Sequence, residues 1–207
     1  MNNKVMETSL CSVMKISETI LKTGQLEKMK AWYSVFLGVQ PHFEYAPPPG
    51  RQPGNFGGQT RAADLRMCFF RLSEDYPFTQ TLGLFEEPWL GAEPVKGCPG
   101  LHHMQFLQPD IESFIARAET IRAAGYRPHR SANHGHMTSF YYRDPDQNIA
   151  EMTIQNFPSL KEMDEFTASD IFRVDPSGDE INPDEYIQKY RSGVPFSDLI
   201  KLNAMKS

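Results

Sequence analysis

Cysteine is scarce in this chain of 207 residues. The three cysteines, Cys11, Cys68 and Cys98, are far apart in the sequence and include no CxxC pair or zinc-ligand spacing. A chain without a disulfide framework is typical of a reducing compartment. We therefore predict a reduced, cytoplasmic protein.

Long apolar runs and basic clusters are also missing. No stretch approaches the roughly 18 apolar residues of a membrane-spanning helix, and residues 1–14, which lack the apolar core of a signal peptide, are interpreted as a leader. The 21 Lys and Arg residues are outnumbered by 26 Asp and Glu residues, for a net charge of −5. Nucleic acid and membrane are therefore not expected partners.

Hydrophobic periodicity defines a first unit of alternating elements. Residues 16–21 have the period of a strand, with Glu18 on the face of Ile16 and Ile20. Apolar residues at three- and four-residue steps predict a helix over residues 26–37, and Gly38 is a typical C-terminal stop. The pattern then predicts further strands at residues 39–45, 65–72 and 81–85, with a Pro- and Gly-rich loop at residues 46–58.

The same order of elements occurs a second time. A predicted strand at residues 100–106 leads to a helix that begins after the N-cap Asp110 and ends near Gly125. Further strands are predicted at residues 126–130, 138–142 and 149–154, with a polar turn at 143–148.

The repeat predicts an α+β fold of two paired βαβββ modules, at about residues 15–90 and 98–156 of one domain spanning 15–156. Residues 157–207 leave the repeat. Helices at 160–166 and 183–190 predict a helical C-terminal tail packed on the domain.

Three polar side chains on predicted strands are candidate metal ligands: Glu18, His103 and Glu151. Imidazole and carboxylate groups on a rigid scaffold suit divalent ions. Glu151 has apolar neighbours, so burying its carboxylate requires a partner, a proton or a metal. The alternative is that Glu151 faces water on a half-exposed strand. His103 adjoins His102, and strand alternation allows only one of the two into a given site.

Two further residues are candidates for acid–base and binding roles. His134 precedes a predicted strand, where an imidazole could move protons beside a metal, or could serve only as a turn residue. Tyr141 and Tyr142 point to opposite faces of that strand, so one of them could hydrogen-bond an oxygen of a substrate.

Residues 134–151 resemble the signature of extradiol ring-cleavage dioxygenases in the vicinal oxygen chelate superfamily. The matching positions are His134, Phe140, Tyr141, Asp144, Pro145 and Glu151. Residues 100–106 resemble the strand that carries the family's second ligand. Residues 21–38 are similar to its opening strand and helix, and residues 172–185 to the tails of its single-domain members.

The resemblance implies that the modules form a curved mixed sheet around a central cavity with Fe(II) or Mn(II). It implies His103 and Glu151 as metal ligands, Glu18 at the position of the third ligand, His134 as the acid–base group and Tyr141 as the substrate contact. The expected substrate is a small aromatic diol or related phenolic compound, and a homodimer is compatible with the family.

The chain departs from this pattern in the opening strand, where Glu18 stands in place of a histidine ligand. Another active-site histidine of the family is also missing, since residues 80–99 contain none. A second carboxylate makes a ligand set harder and favours Mg(II), Mn(II) or Zn(II). A non-oxidative isomerase, lyase or cyclase acting on a phenolic or enolisable substrate is therefore an alternative, with Glu18 as a ligand or a general base. A non-catalytic small-molecule binding protein is a second alternative.

Overall fold

The computed structural model describes residues 14–56, 59–77, 79–91 and 100–203. Cys11, Cys98 and all but the last residue of the predicted leader lie outside these ranges. Within them the chain forms two compact units, which are described separately. The first contains the residues up to Lys22 and Gln40–Glu86, and the second contains Thr23–Val39 and the residues from Glu87 onward.

The first unit is a four-stranded sheet with a small hairpin. Its strands are β1 (Glu18–Thr23), β2 (Phe43–Tyr45), β3 (Asn55–Phe56), β4 (Gln59–Thr60), β5 (Met67–Ser73) and β6 (Gln80–Glu86). The sheet has the order β1-β6-β5-β2, and β3 pairs with β4. The buried face of the four-stranded sheet is formed by Leu21, Leu82, Leu84, Cys68 and Phe70.

The second unit contains the helices and a five-stranded sheet. Its strands are β7 (Met104–Leu107), β8 (Arg130–Asn133), β9 (Met137–Arg143), β10 (Ile149–Gln155) and β11 (Asp179–Glu180). Its helices are α1 (Leu26–Leu37), α2 (Ile111–Ala123), α3 (Leu160–Thr167), α4 (Asp170–Val174), α5 (Pro183–Arg191) and α6 (Phe196–Leu199). The sheet has the order β11-β8-β9-β10-β7, with β7 and β10 parallel.

The two sheets share one topology. In each module the strands lie in the spatial order first, fourth, third, second: β1-β6-β5-β2 in one and β7-β10-β9-β8 in the other. The predicted α+β fold of two βαβββ modules is therefore confirmed.

Several predicted boundaries were wrong by a few residues. The strand predicted at 126–130 begins only at Arg130, because Gly125 at φ +91° and Pro128 keep the chain irregular after α2. The strand predicted at 100–106 begins at Met104, so His103 precedes it. The strand predicted at 39–45 is limited to Phe43–Tyr45. The loop predicted at 46–58 ends in the β3–β4 hairpin.

Aromatic contacts attach α1 and α2 to one face of the second sheet. The ring of Phe36 on α1 lies 5.3 Å from Phe106 and 5.6 Å from Tyr142. The ring of Phe114 on α2 lies 4.8 Å from Phe140. Because side chains alternate along a strand, the neighbours of Phe140 and Tyr142 on β9 project from the opposite face.

The tail packs on the second unit through both apolar and charged contacts. Tyr186 and Ile187 of α5 are buried. Arg191 donates to Glu112 and Glu119 of α2, with N–O distances of 2.7 Å to each. Of the helices in the described ranges, none is both long enough and apolar enough to cross a membrane.

The polar turn between β9 and β10 is organised by a buried carboxylate. Asp144 is 1% exposed and accepts hydrogen bonds from the backbone N–H groups of Asp146 and Asn148 and from the Asn148 side chain. The Tyr33 hydroxyl of α1 donates to the same carboxylate at 3.0 Å. Burial raises the pKa of Asp144 despite these donors.

Tyr33→Phe is expected to lower the free energy of unfolding by about 1–3 kcal/mol, because it removes a donor to a buried charged acceptor. Urea unfolding monitored by circular dichroism measures the change. Tyr126→Phe is the matched control, since Tyr126 is a half-buried tyrosine that packs on Trp32 of the same helix. Equal losses in the two variants would contradict the role assigned to Asp144.

Candidate metal and acid–base site

The pairing register brings polar side chains together on the face of the second sheet opposite α1 and α2. Glu151 on β10 lies opposite Tyr141 on β9, and Tyr141 lies opposite Arg130 on β8. Residues directly opposite one another on adjacent strands share a face. The three side chains therefore project together, on the other side of the sheet from Phe140 and Tyr142.

Glu151 is the most buried acidic group of this face. Only 2% of its side chain is exposed, so the alternative that it faces water was wrong. Its Oε2 lies 3.0 Å from His103 Nε2, and Tyr141 is its direct neighbour on the adjacent strand β9. A buried carboxylate is retained only where such partners offset the loss of water.

His103 is held between Glu151 and its neighbour His102. Its Nδ1 lies 2.6 Å from His102 Nδ1, so one of these two nitrogens donates to the other. A lone pair on His103 Nε2 and a lone pair on Glu151 Oε2 would repel each other at a distance of 3.0 Å. A proton or a cation must therefore lie between the two atoms. If His103 donates from Nδ1 to His102, its Nε2 is free to bind a metal.

Tyr141 connects Glu151 to His134. The Tyr141 Oη lies 2.8 Å from His134 Nε2, and the Arg130 guanidinium lies 5.2 Å from the centre of the Tyr141 ring. Burial, followed by the nearby charge of Glu151, raises the pKa of Tyr141 to about 12. The phenol therefore keeps its proton at neutral pH and can donate it to one acceptor at a time.

His134 lies in the loop between β8 and β9 and is only 8% exposed. Its Nδ1 lies 3.3 Å from the carbonyl oxygen of Pro176 in the tail. The structure thus brings together four of the five predicted site residues, His103, Glu151, Tyr141 and His134, in one polar cluster. Their roles stay predictions.

The pair formed by His103 and Glu151 fits two adjacent ligands of a divalent ion. Two ligand atoms that each lie about 2.1 Å from a metal ion, with their bonds at right angles, are about 3.0 Å apart. This matches the distance between His103 Nε2 and Glu151 Oε2. Among the described residues, no group of three or more His, Cys, Asp or Glu side chains could hold a metal. Glu18 is exposed at the start of β1 in the first unit, and its assignment as third ligand stays a prediction.

Sequence reasoning missed three contributors to this site. His102 contacts His103 because both precede β7, where strand alternation does not apply. Arg130 was predicted as the last residue of a strand, but it is the first residue of β8. Its pairing with Tyr141 could therefore not be predicted. The Pro176 carbonyl is a backbone group of the tail, and a pattern of side chains does not predict its contact with His134.

A family model described as the glyoxalase/bleomycin resistance protein/dioxygenase superfamily matches residues 15–152. Biphenyl-2,3-diol 1,2-dioxygenase 3 of Rhodococcus globerulus is 30% identical over 186 residues, which cover 89% of this chain and 86% of the relative. Biphenyl-2,3-diol 1,2-dioxygenase 2 of the same organism is 25% identical over 181 residues, which cover 87% of this chain and 84% of the relative.

Among solved structures, a glyoxylase/bleomycin resistance protein/dioxygenase domain from Frankia sp. EAN1pec matches with a TM-score of 0.54. The match covers 72% of this chain and 96% of that domain at 17% sequence identity. At this identity the similarity establishes the fold alone.

Glu151→Gln is expected to raise the free energy of unfolding of the metal-free protein by about 1 kcal/mol, because a neutral isostere loses less on burial than a carboxylate. Denaturant unfolding in the presence of a chelator at mildly alkaline pH measures the change. Glu165→Gln, at an exposed position of α3, is the control and should leave stability unchanged. A loss of stability in Glu151→Gln alone would contradict the prediction.

Proposed function

Since the chain belongs to the glyoxalase/bleomycin resistance protein/dioxygenase superfamily, we propose that it is a metal-dependent dioxygenase that cleaves an aromatic diol. The observation that carries the proposal is the contact of His103 Nε2 with Glu151 Oε2, beside the hydrogen-bonded pair of Tyr141 and His134. Two adjacent side chains that could bind a metal, beside a protonated phenol and an imidazole, support metal-assisted acid–base chemistry on a diol.

Superfamily members bind a divalent metal ion. In this chain His103 would hold it through Nε2 and Glu151 through Oε2, with Fe(II) as the proposed ion and Mn(II) as its substitute. The bound ion would supply oxygen-binding positions and would pass electron density to O₂ from the diol, which is the group oxidised in the reaction. His102 would keep His103 in the tautomer that leaves Nε2 free, as hydrogen-bonded partners of metal ligands generally do.

The organic steps depend on Tyr141 and His134. Because the pKa of Tyr141 is raised to about 12, its hydroxyl is a hydrogen-bond donor at neutral pH and can orient an oxygen of the diol. His134 Nε2, which lies 2.8 Å from the Tyr141 hydroxyl, would be the proton acceptor and would take a proton from a substrate hydroxyl. Proton transfer by a positioned side chain contributes about 10²–10⁴-fold to a rate.

Glu18 supports a second candidate function. A carboxylate in place of the expected histidine would lower the charge of the ligand set by one unit and favour harder ions such as Mg(II), Mn(II) or Zn(II). A site of this kind suits an isomerase, lyase or cyclase reaction of a phenolic or enolisable substrate, in which the metal acts only as a Lewis acid.

We expect protein purified without oxygen and loaded with Fe(II) to consume O₂ when biphenyl-2,3-diol or catechol is added. His103→Ala should abolish both iron binding and oxygen uptake, because it removes one of two adjacent ligands. An oxygen electrode and elemental analysis of the same samples measure the two effects. His42→Ala, which changes a histidine packed near Phe69 in the first unit, should retain both properties.

Three other outcomes would each contradict the proposal, the first two in its activity and the third in its metal ligands. Metal-dependent turnover of the diol under strict anaerobiosis would favour the non-oxidative enzyme. Tight diol binding without turnover in the presence or absence of any metal would favour a binding protein. Iron retention by both His103→Ala and Glu151→Ala would exclude these residues as the ligands.

Glu18→His is expected to raise the affinity for Fe(II) roughly tenfold or more, because an imidazole replaces a hard carboxylate at the position of the third ligand. Competition with a coloured Fe(II) chelator under nitrogen measures the affinity. Glu44→His, which adds a histidine at an exposed position of β2, is the matched control. Equal affinities for the parent protein and Glu18→His would show that residue 18 does not contact the metal.

A further inference from the structure

Residues 175–178 of the tail lie directly against the backbone that carries His134. Gly178 has φ +69°, and a Cβ at this position would overlap the carbonyl oxygen of Asn133 and the Cα of His134. Immediately after it, Asp179 and Glu180 pair with β8 at Asn133 and Ala132. Only glycine combines the left-handed backbone with so close an approach.

A second part of the tail holds the same loop from another side. Gly135 has φ +82°, and the side chains of Phe166 and Leu202 occupy the space where its Cβ would lie. The ring of Phe172 lies 5.2 Å from that of His136. Asn133 donates from its side chain to the carbonyl oxygen of Ile200 at 2.8 Å.

The loop is also fixed from within the sheet. The side-chain oxygen of Asn133 accepts from Gly135 N–H at 2.9 Å and from Asn156 Nδ2 at 3.0 Å. Asn156 also donates to the carbonyl oxygen of Gly135 at 3.0 Å. These contacts fix the backbone on both sides of His134, and its ring nitrogens contact the Pro176 carbonyl and the Tyr141 hydroxyl.

The contact with Pro176 decides which nitrogen of His134 carries the proton. A carbonyl oxygen only accepts hydrogen bonds, so the 3.3 Å contact places a proton on Nδ1. In a neutral ring Nε2 is then unprotonated, and it is this atom that lies 2.8 Å from the Tyr141 hydroxyl. The opposite tautomer, Nε2–H, would leave Nδ1 and the Pro176 carbonyl as two facing acceptors.

We propose that residues 175–178 are a positioning element that sets the tautomer of His134, with the Pro176 carbonyl as the orienting acceptor and Gly178 as the residue that permits its approach. The tail thereby turns Nε2 into a proton acceptor at the site. The catalytic use of His134 rests on the proposed function, whereas its tautomer does not.

Nitrogen-15 NMR of the imidazole rings tests this proposal in the metal-free protein at mildly alkaline pH, where histidines are ordinarily neutral. The chain has six histidines, and the signals lost in His134→Gln identify those of His134. We expect a protonated Nδ1 in the parent protein. An unprotonated Nδ1 with a protonated Nε2 would overturn the proposal without any variant of the tail.

Gly178→Ala should shift His134 toward the Nε2–H tautomer, because the added methyl group displaces the turn that carries Pro176. Gly193→Ala is the matched control: Gly193 is also a tail glycine with a positive φ, of +92°, but nothing lies within 4 Å of its Cβ position. An unchanged tautomer in Gly178→Ala, or an equal shift in Gly193→Ala, would overturn the proposal.

Discussion

The buried carboxylate of Glu151 constrains the whole polar face of the second sheet. With 2% of its side chain exposed, it depends on neighbouring groups rather than water for its stabilisation. The strand order supplies them, because β10 lies between β7 and β9. His103 approaches from the start of one neighbouring strand and Tyr141 from the middle of the other.

The opposite face of the same sheet explains why these groups can remain polar. Helices α1 and α2 cover the side of Phe106, Phe140 and Tyr142, so the apolar core of the unit forms there. Strand alternation then leaves Glu151, Tyr141 and Arg130 on the other side. The polar cluster therefore does not interrupt the apolar core of the unit.

The fold and most of the site could be predicted from local patterns because these depend on residues close in sequence. The period of α1, its stop at Gly38, the N-cap at Asp110 and the strand carrying Glu151 follow from neighbouring residues. Contacts between distant segments could not be predicted in this way. The hydrogen bond between His134 and Pro176 joins positions 42 residues apart through a backbone atom, which no side-chain pattern encodes.

The two modules share a strand order but differ in the chemistry of the corresponding sheet face. In the first unit that face carries apolar groups: Gly83 lets Ile20 and Phe69 pack closely, and Phe69 lies 5.7 Å from Phe85. In the second unit it carries the polar cluster that includes His103 and His134. Glu18 lies on the same face of β1 as Ile20 and is exposed. The contacts of the candidate site therefore come from the second module, in which His103 and Glu151 contact each other directly.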